Sequence, residues 1–110
     1  MEFNYRVVFL KQKGCAACSA MEPIWIEAAN ELSEENPELG IGFGEWDVLQ
    51  DNWALCDAIE GCDGTPNFVV FDSGSQQLGI NNEGILSKSE LKSFILSAIE
   101  KYNGGLYKYD

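Results

Sequence analysis

The sequence predicts a single α/β domain with the element order β-α-β-α-β-β-α, in which helices flank a four-stranded mixed sheet. The chain has 110 residues, the length of one domain, and 45% of them are hydrophobic. Short runs rich in β-branched and aromatic residues alternate with segments whose apolar residues recur every three or four positions. A Ser-Gly-Ser turn between the last two strand-like runs predicts a terminal hairpin.

The first half of the chain contains two predicted strands with a long helix between them. Residues 3–10 (FNYRVVFL) and 41–48 (IGFGEWDV) have the composition of strands. The helix begins at Cys15 and ends before Pro37, which disfavours helix at the preceding residue. Pro23 lies inside the helix, where it removes one backbone hydrogen bond and predicts a kink. The predicted buried stripe of the helix consists of Cys18, Met21, Trp25, Ala28, Ala29 and Leu32.

Residues 51–80 have the pattern of a short helix followed by the hairpin. The helix covers residues 51–60 and is capped at its C-terminus by Gly61. Residues 66–72 (PNFVVFD) and the weaker segment 76–80 form the two hairpin strands. We expect strands that are separated by helices to pair in parallel, and the hairpin to add an antiparallel edge.

The last predicted element is a helix over residues 88–102, capped by Ser87. The sequence Asn-Gly-Gly after it predicts the end of the helix and a short tail from about residue 103. All of residues 1–110 therefore belong to one predicted domain. The buried stripe of this helix is predicted to be Leu91, Phe94, Ile95, Ala98 and Ile99.

The charge of the chain restricts its partners. The net charge is −11, and residues 14–87 contain no Lys or Arg but 14 acidic residues. Such a surface repels nucleic-acid backbones and anionic lipids, so we expect neither nucleic acid nor membrane as a partner. The apolar runs are too short to cross a bilayer, and the start of the sequence lacks the basic region of a secretory signal. We expect a cytoplasmic monomer.

The stretch KGCAACSAMEP, residues 13–23, carries the strongest functional signal. A CxxC pair that opens a helix directly after a buried strand is typical of redox proteins. The unpaired N–H groups at the helix N-terminus, with Lys13 beside them, stabilise a thiolate at Cys15. Cys18 lies one turn further on, on the same face and more buried. This geometry predicts that Cys15 attacks a substrate disulfide and that Cys18 resolves the mixed disulfide.

Two alternatives remain for this pair. In one, the cysteines are half of a zinc site, which needs two further ligands. The chain has no histidine, and Cys56 and Cys62 form a C-x5-C pair that does not match a second zinc knuckle. In the other, Cys15 and Cys18 are small buried side chains without chemistry. We expect no metal, and no cofactor other than the Cys15–Cys18 disulfide itself.

Several motifs together give the chain a close resemblance to the thioredoxin family. Pro23 stands five residues after Cys18, at the position of the helix-kinking proline of that family. GTPNF, residues 64–68, resembles the family loop with a cis-proline, and FVVFDSGSQ, residues 68–76, is similar to its hairpin. GILSKSELKSF, residues 84–94, matches the glycine loop and the start of the last helix. The resemblance runs from about residue 5 to residue 100.

The resemblance implies a substrate groove beside the cysteines. It implies that Pro66 is cis and places the backbone of Thr65 next to the cysteines, where it binds an extended substrate chain. Gly84 matches a glycine that lines the same groove and admits the substrate because it has no side chain. From the local sequence alone, Pro66 is an ordinary turn proline and Gly84 a simple loop glycine.

The chain also departs from the family pattern. Only 14 residues precede Cys15, so we expect no additional N-terminal strand and helix, and four strands in the sheet. Ala-Ala separates the cysteines instead of Gly-Pro, and Gly14 replaces a tryptophan. The position of the family's buried acid holds Phe9, and that of its lysine holds Glu45. We hypothesise that Glu45 partly replaces the acid and takes the proton from Cys18; the alternative is a partly solvated strand glutamate.

Cys56 and Cys62 form a second pair at the end of the short predicted helix. One interpretation is a small apolar contact across the helix C-terminus. The other is a regulatory disulfide, since the same geometry brings the two sulfurs close together. Cys62 precedes Pro66 by four residues, so that oxidation of this pair would affect substrate docking.

The leading functional prediction is a small protein-disulfide oxidoreductase of the thioredoxin type. It would carry electrons from a thioredoxin reductase, or an equivalent donor, to target proteins that contain disulfides. One alternative is a glutaredoxin-like enzyme that uses glutathione, although the proline of a CPYC site is not evident. The other is a non-catalytic binding module built on the same fold.

Overall fold

The computed structural model describes the backbone of residues 3–107 and the side chains of residues 3–102. It confirms the α/β class and the predicted element order. The strands are β1 (Tyr5–Lys11), β2 (Ile41–Asp47), β3 (Asn67–Asp72) and β4 (Gln77–Asn81). The α-helices are α1 (Ala16–Glu35), α2 (Ala54–Ala58) and α3 (Lys88–Tyr107), and two short 3₁₀ segments cover Pro37–Leu39 and Val48–Asp51.

The four strands form one mixed sheet in the order β2-β1-β3-β4. β1 and β2 are parallel, as expected for strands joined by a long helix. β3 is antiparallel to both β1 and β4. The expectation of parallel pairing is therefore correct for β1 and β2 and wrong for β3.

The short connection between β2 and β3 explains the antiparallel pairing. β2 has seven residues and therefore spans roughly 23 Å. The five residues of α2 rise only about 7.5 Å, too little to return the chain along the sheet. The chain consequently enters β3 at the end of the sheet where β2 stops, and Asn67 at the start of β3 pairs with Leu10 near the end of β1.

Alternation along the strands divides the buried residues between the two faces of the sheet. On the first face, α1 and α3 cover Val7 and Phe9 of β1 and their neighbours on β3. On the second face, α2 and the preceding 3₁₀ segment cover Leu10 and Val69. The first core is the larger, and the CxxC pair belongs to it; the second pair of cysteines belongs to the second core.

The short helix differs most from its prediction. The sequence predicts helix over residues 51–60, but the structure has a 3₁₀ segment followed by α2 after an interruption. Asn52 and Trp53 cause this interruption, because both adopt positive φ angles, 54° and 71°. Gly61 also has a positive φ, but it lies in the turn after α2 and does not cap the helix, whose C-cap is Ile59.

The last helix begins as predicted and ends later. Ser87 Oγ accepts a hydrogen bond from the Glu90 N–H at 3.1 Å, and Glu90 Oε1 accepts one from the Ser87 N–H at 2.9 Å. This reciprocal capping box fixes the start of α3 at Lys88. The helix continues to Tyr107, so the segment predicted to be a tail from about residue 103 is helical to that point.

Ion pairs between lysines of α3 and glutamates of α1 hold the two helices together. Lys88 bonds Glu31 and Glu27, and Lys92 bonds Glu31 and Glu35 at 2.8 and 2.9 Å. The hydrogen bond from Lys88, followed by that from Lys92, lowers the pKa of Glu31 below its usual value. These surface pairs add to the apolar contacts through which α1, which carries the CxxC pair, packs against the last helix.

Candidate redox site

Cys15 and Cys18 lie at the N-terminus of α1 at disulfide-bonding distance, with Cα atoms 5.2 Å apart. Cys15 is the N-cap of the 20-residue helix, and its Sγ accepts a hydrogen bond from the Cys18 N–H at 3.1 Å. Cys18 is almost fully buried, whereas Cys15 is partly exposed. The accessible sulfur thus occupies the position where the unpaired N–H groups of the helix favour negative charge.

A tight turn connects the end of β1 to this helix. The Cys15 N–H donates to the Gln12 carbonyl oxygen at 3.0 Å. Gly14 within the turn has a φ of +85°, a conformation that residues with a side chain rarely adopt. A side chain at position 14 would be strained for this reason, which explains how a glycine suits the position that precedes the cysteine pair.

The loop before β3 brings Thr65 to Cys15. Thr65 Oγ1 lies 3.9 Å from Cys15 Sγ and 3.4 Å from Gln12 Oε1. The peptide bond between Thr65 and Pro66 is cis. The backbone N–H and C=O of Thr65 make no backbone hydrogen bond to any residue that the structure describes. These groups are therefore free to pair with an extended chain laid across the cysteines.

The loop that carries Gly84 docks on the same helix. The Leu86 N–H donates to Met21 Sδ at 3.2 Å, which fastens the loop to α1 one turn after Cys18. Gly84 has a φ of +83°, and a Cβ atom built on it meets nothing within 4 Å. The space beside Gly84 is thus open. Ile85, which follows it, exposes 59% of its surface.

A small cavity lies next to the buried cysteine. It has a volume of about 320 Å³, and its lining includes Cys18, Lys11, Lys13, Glu22 and Asp47. Lys13, predicted to stabilise the Cys15 thiolate, is exposed at this cavity. Both lysines that precede the cysteine pair in the sequence therefore border the space that reaches Cys18.

Glu45 is connected to this cavity through Lys11. Its Oε1 accepts a hydrogen bond from Lys11 Nζ at 2.6 Å, and its Oε2 accepts one from Trp25 Nε1 at 3.1 Å. The hydrogen bond from Lys11 to Glu45, with a further contribution from Glu22, raises the pKa of Lys11. Glu45 itself is not among the residues that line the cavity. It pairs in register with Phe9, which is fully buried and stacks on Phe68 with ring centroids 5.0 Å apart.

The second pair of cysteines is also joined. Cys56 and Cys62 form a disulfide with Cα atoms 5.5 Å apart, and both belong to the second core. They lie on the face of the sheet opposite Cys15 and Cys18. The structure thus brings Thr65 to the first pair, docks the Gly84 loop on the helix that carries this pair, and keeps the second pair separate.

Two residues contribute to the site although the sequence does not predict their contacts. One is Trp25, assigned only to the buried stripe, whose ring N–H also fixes Glu45. The other is Asn67, a fully buried polar residue at the start of β3. Its signal in the sequence is an asparagine at the head of the apolar run NFVVF, immediately after Pro66. A polar side chain in such a run needs hydrogen-bond partners, which points to a structural or functional contact.

Comparisons with known proteins identify the fold. No protein-family model matches the chain, and no curated protein matches it in sequence. Solved structures do match it, among them the first two thioredoxin domains of Saccharomyces cerevisiae Eps1p (TM-score 0.68, 20% identity). A mutant thioredoxin from Halobacterium salinarum (0.66, 24%) and the zinc-bound form of human ERp44 (0.71, 18%) match as well.

The chain has the thioredoxin fold. The matches cover 86%, 87% and 87% of it, but 34% of the Eps1p chain, 75% of the H. salinarum thioredoxin and 27% of ERp44. The chain thus spans about a third or less of two of these proteins. Together with the CxxC pair at disulfide distance, the fold supports a thioredoxin-like redox role.

Two kinds of feature are absent from the residues that the structure describes. No helix among them combines the length and the apolar character that a membrane span requires. Within the same part of the chain, no three His, Cys, Asp or Glu side chains cluster as metal ligands would.

Proposed function

We propose that the protein is a thiol–disulfide oxidoreductase that reduces protein disulfides by dithiol–disulfide exchange through Cys15 and Cys18. One observation carries the proposal: the partly exposed Cys15 caps the N-terminus of a long helix, with Cys18 buried behind it and Thr65 against it. A nucleophilic sulfur, a resolving sulfur and a free backbone edge thereby meet at one place.

The reaction begins with the reduced pair. The Cys15 thiolate attacks one sulfur of the target disulfide, the target S–S bond breaks, and the released target thiolate takes a proton from solvent. Cys18 loses its proton and attacks Cys15 Sγ in the mixed disulfide, which releases the second target thiolate. Two electrons pass to the target, and the Cys15–Cys18 disulfide remains on the protein.

The target chain binds in the groove between Thr65 and Gly84. An extended backbone pairs with the free N–H and C=O of Thr65, which orients the target disulfide over Cys15. The open space at Gly84 admits the chain on the other side, and exposed Ile85 offers it apolar contact. Recognition through backbone groups suits an enzyme that acts on many protein sequences.

Glu45 and Lys11 assist the resolving step. Cys18 must lose a proton before it attacks, and the Lys11 ammonium at the shared cavity stabilises the thiolate that forms. Glu45 holds Lys11 in place and, because it does not line the cavity itself, accepts the proton by way of Lys11. Of the two interpretations of Glu45, we therefore propose the functional one, with Lys11 between the carboxylate and the cysteine.

The remaining partners follow from the reaction. The oxidised pair needs an electron donor, which we propose to be a thioredoxin reductase or an equivalent dithiol enzyme. The pair itself is the only redox centre required, so the protein needs no metal or organic cofactor. We propose that it acts as a monomer in the cytoplasm, where a thiol pool keeps such pairs reduced.

Reduction of insulin disulfides tests the proposal. The wild-type protein driven by thioredoxin reductase should reduce insulin, whereas Cys15→Ser and Cys18→Ser should not. The double variant Cys56→Ala/Cys62→Ala, assayed at saturating insulin, is the matched control, because it removes the other cysteine pair and leaves the reacting sulfurs intact. Inactivity of the wild type with every electron donor would show instead a binding module without redox activity.

A glutathione-dependent activity is the second candidate. The four-stranded sheet in the order β2-β1-β3-β4, without a further strand among the described residues, favours it. The insulin assay separates the two functions when the electron donor is changed. Turnover with reduced glutathione alone, and none with thioredoxin reductase, would identify the glutathione-dependent enzyme.

A further inference from the structure

The disulfide between Cys56 and Cys62 lies apart from the reaction just described. Cys56 is in α2 and almost fully buried, whereas Cys62 lies in the following loop and is partly exposed. Both pack in the core on the second face of the sheet, opposite the face that holds Cys15 and Cys18. The two pairs therefore do not compete for the same target, and any influence of one on the other must pass through the structure between them.

Asn67 provides the first part of such a connection. Its side chain is fully buried, and its Nδ2 lies 3.8 Å from Cys62 Sγ and donates to the Gly64 carbonyl oxygen at 3.4 Å. Asn67 directly follows Pro66 in the chain. The amide thus ties the sulfur of Cys62 to the loop that presents Thr65 to the target.

Asn82 provides the second part. Its Oδ1 is hydrogen-bonded to Asn67 Nδ2 and also accepts from the Asp63 N–H at 3.4 Å. Its Nδ2 donates to the Gly61 carbonyl oxygen at 2.7 Å. Asn82 stands two residues before Gly84. The loop around Cys62 is therefore attached to both walls of the proposed groove, the Thr65 wall and the Gly84 wall.

We propose that Cys56–Cys62 is a second redox site whose oxidation state controls how tightly the groove between Thr65 and Gly84 holds a target chain. This inference rests on the proposed function, since the groove is the one proposed there. The disulfide anchors the loop of residues 61–64 to α2, and the two asparagines pass that constraint to both walls. Reduction releases the loop, so that the groove binds the target less well.

The reductant is a thiol of low molecular weight, of the glutathione class. Its thiolate attacks Cys62 Sγ, the more exposed sulfur, and the Cys56–Cys62 bond breaks while a mixed disulfide forms at Cys62. Cys56 leaves as a thiolate and takes a proton from solvent. A second thiol attacks the mixed disulfide and frees the Cys62 thiol. Two electrons pass from two thiols to the protein, and the thiols leave as their disulfide.

The test compares a large and a small substrate. Insulin must bind in the groove, whereas 5,5′-dithiobis(2-nitrobenzoate) needs only access to Cys15. Cys56→Ala/Cys62→Ala, which mimics the reduced state, should raise the KM for insulin about fivefold or more with little change in kcat. Its rate with the small disulfide should equal that of the wild type. Far-UV circular dichroism and a cooperative unfolding transition verify that the variant is folded.

Two further measurements keep the test independent of that variant. Asn82→Ala keeps the disulfide and removes the amide link, so it should raise the insulin KM in the same direction. Wild-type protein equilibrated in glutathione buffers should yield a Cys56–Cys62 peptide by mass mapping in oxidising mixtures and lose it in reducing ones.

The outcomes separate this inference from the function on which it rests. An unchanged insulin KM in an active double variant, or no Cys56–Cys62 peptide in any buffer, would overturn the coupling alone. An equal loss of activity on both substrates would also overturn it, because the effect would not lie in the groove. A wild-type protein inert towards both substrates would reject the proposed function itself.

Discussion

The two cysteine pairs make the same bond in different surroundings. Cys15 and Cys18 are three residues apart at the open end of a 20-residue helix. Cys56 and Cys62 are six residues apart and join a five-residue helix to the loop after it. Beside the first pair lie a helix N-terminus, a cavity lined by two lysines, and the Thr65 backbone, which makes no backbone hydrogen bond to the described residues. The second has apolar neighbours and a buried amide.

The surroundings of each pair, and not the bond itself, determine its chemistry. A thiolate at the N-terminus of a long helix is stabilised by the aligned peptide dipoles. Cys56 lies inside a helix too short to supply this effect, and Cys62 lies beyond its C-terminal end, where the dipole disfavours negative charge. The first pair is therefore suited to attack a target and the second to hold a loop.

The largest expected effect comes from breaking the first pair. Cys15→Ser should reduce insulin turnover to the uncatalysed background, because the serine hydroxyl is not ionised at neutral pH and cannot replace the thiolate. Cys18→Ser should also stop turnover but should accumulate a mixed disulfide between Cys15 and the target. Non-reducing gel electrophoresis detects that adduct. An adduct formed through Cys56 or Cys62 would show that the two pairs have been assigned the wrong way round.

Removing the second pair should lower the stability of the fold in addition to weakening insulin binding. Cys56→Ala/Cys62→Ala should lose about 2 kcal/mol of unfolding free energy, since the closed loop no longer restricts the unfolded chain. Urea denaturation under oxidising conditions measures the change, and under reducing conditions the variant and the wild type should come closer together. A variant as stable as the oxidised wild type would mean that the Cys56–Cys62 bond does not constrain the fold.

If Glu45 accepts the proton from Cys18, its removal should cause a smaller, pH-dependent decrease in the rate of resolution, and only at the first pair. Glu45→Gln should slow the resolution of the mixed disulfide by roughly tenfold near neutral pH. The decrease is smaller than the loss of a base in an enclosed site would cause, because solvent reaches the cavity and can also accept the proton. Stopped-flow measurement of target release across a pH series gives the profile. Glu34→Gln, an exposed change near the far end of α1, is the control. Identical profiles for Glu45→Gln and the wild type would leave Glu45 as a strand glutamate without a part in the reaction.

The smallest expected effect concerns the ion pairs that hold α1 on α3. Because Lys88 and Lys92 lower the pKa of Glu31 in the folded protein, their contribution to stability is present above pH 4.5 and is lost as the pH falls through the lowered value. Glu31→Gln should therefore have a lower Tm than the wild type at neutral pH, and the difference should shrink in acid. A difference that grows as the pH falls would contradict this assignment. Glu31→Gln should not affect the Cys56–Cys62 disulfide, which lies on the other face of the sheet.

The sequence predicted the fold well where the pattern along the chain is local. The helical stripe of α1 (except Ala29, which is only partly buried), the Ser87 cap of α3 and the hairpin appear as expected, because spacing and turn residues specify them directly. The predicted direction of β3 is wrong, because β3 is antiparallel to β1 and not parallel to it. The direction depends on the length of the connection, and a helix broken at Asn52 and Trp53 is shorter than its composition indicates.

The site was predictable in its parts but not in its connections. The CxxC motif indicated which sulfurs react, and the resemblance indicated Thr65, Pro66 and Gly84. The link from Lys11 to Glu45 and Trp25 joins β1, β2 and α1, and its partners lie 34 and 20 residues apart in the chain. Such contacts depend on sheet register and helix rotation, which no local pattern contains.

One measurement tests the central claim most directly, that Cys15 and Cys18 are the redox-active pair and that their electron exchange does not require the other two cysteines. Both pairs are titrated in one series of glutathione buffers, trapped by alkylation and mapped by mass spectrometry, in the wild type and in Cys56→Ala/Cys62→Ala. We predict that Cys15–Cys18 titrates reversibly, with midpoints in the two proteins that agree within about 30 mV, equivalent to about 1.4 kcal/mol. A Cys15–Cys18 pair that never changes state, or changes only when Cys56–Cys62 is present, would contradict the claim.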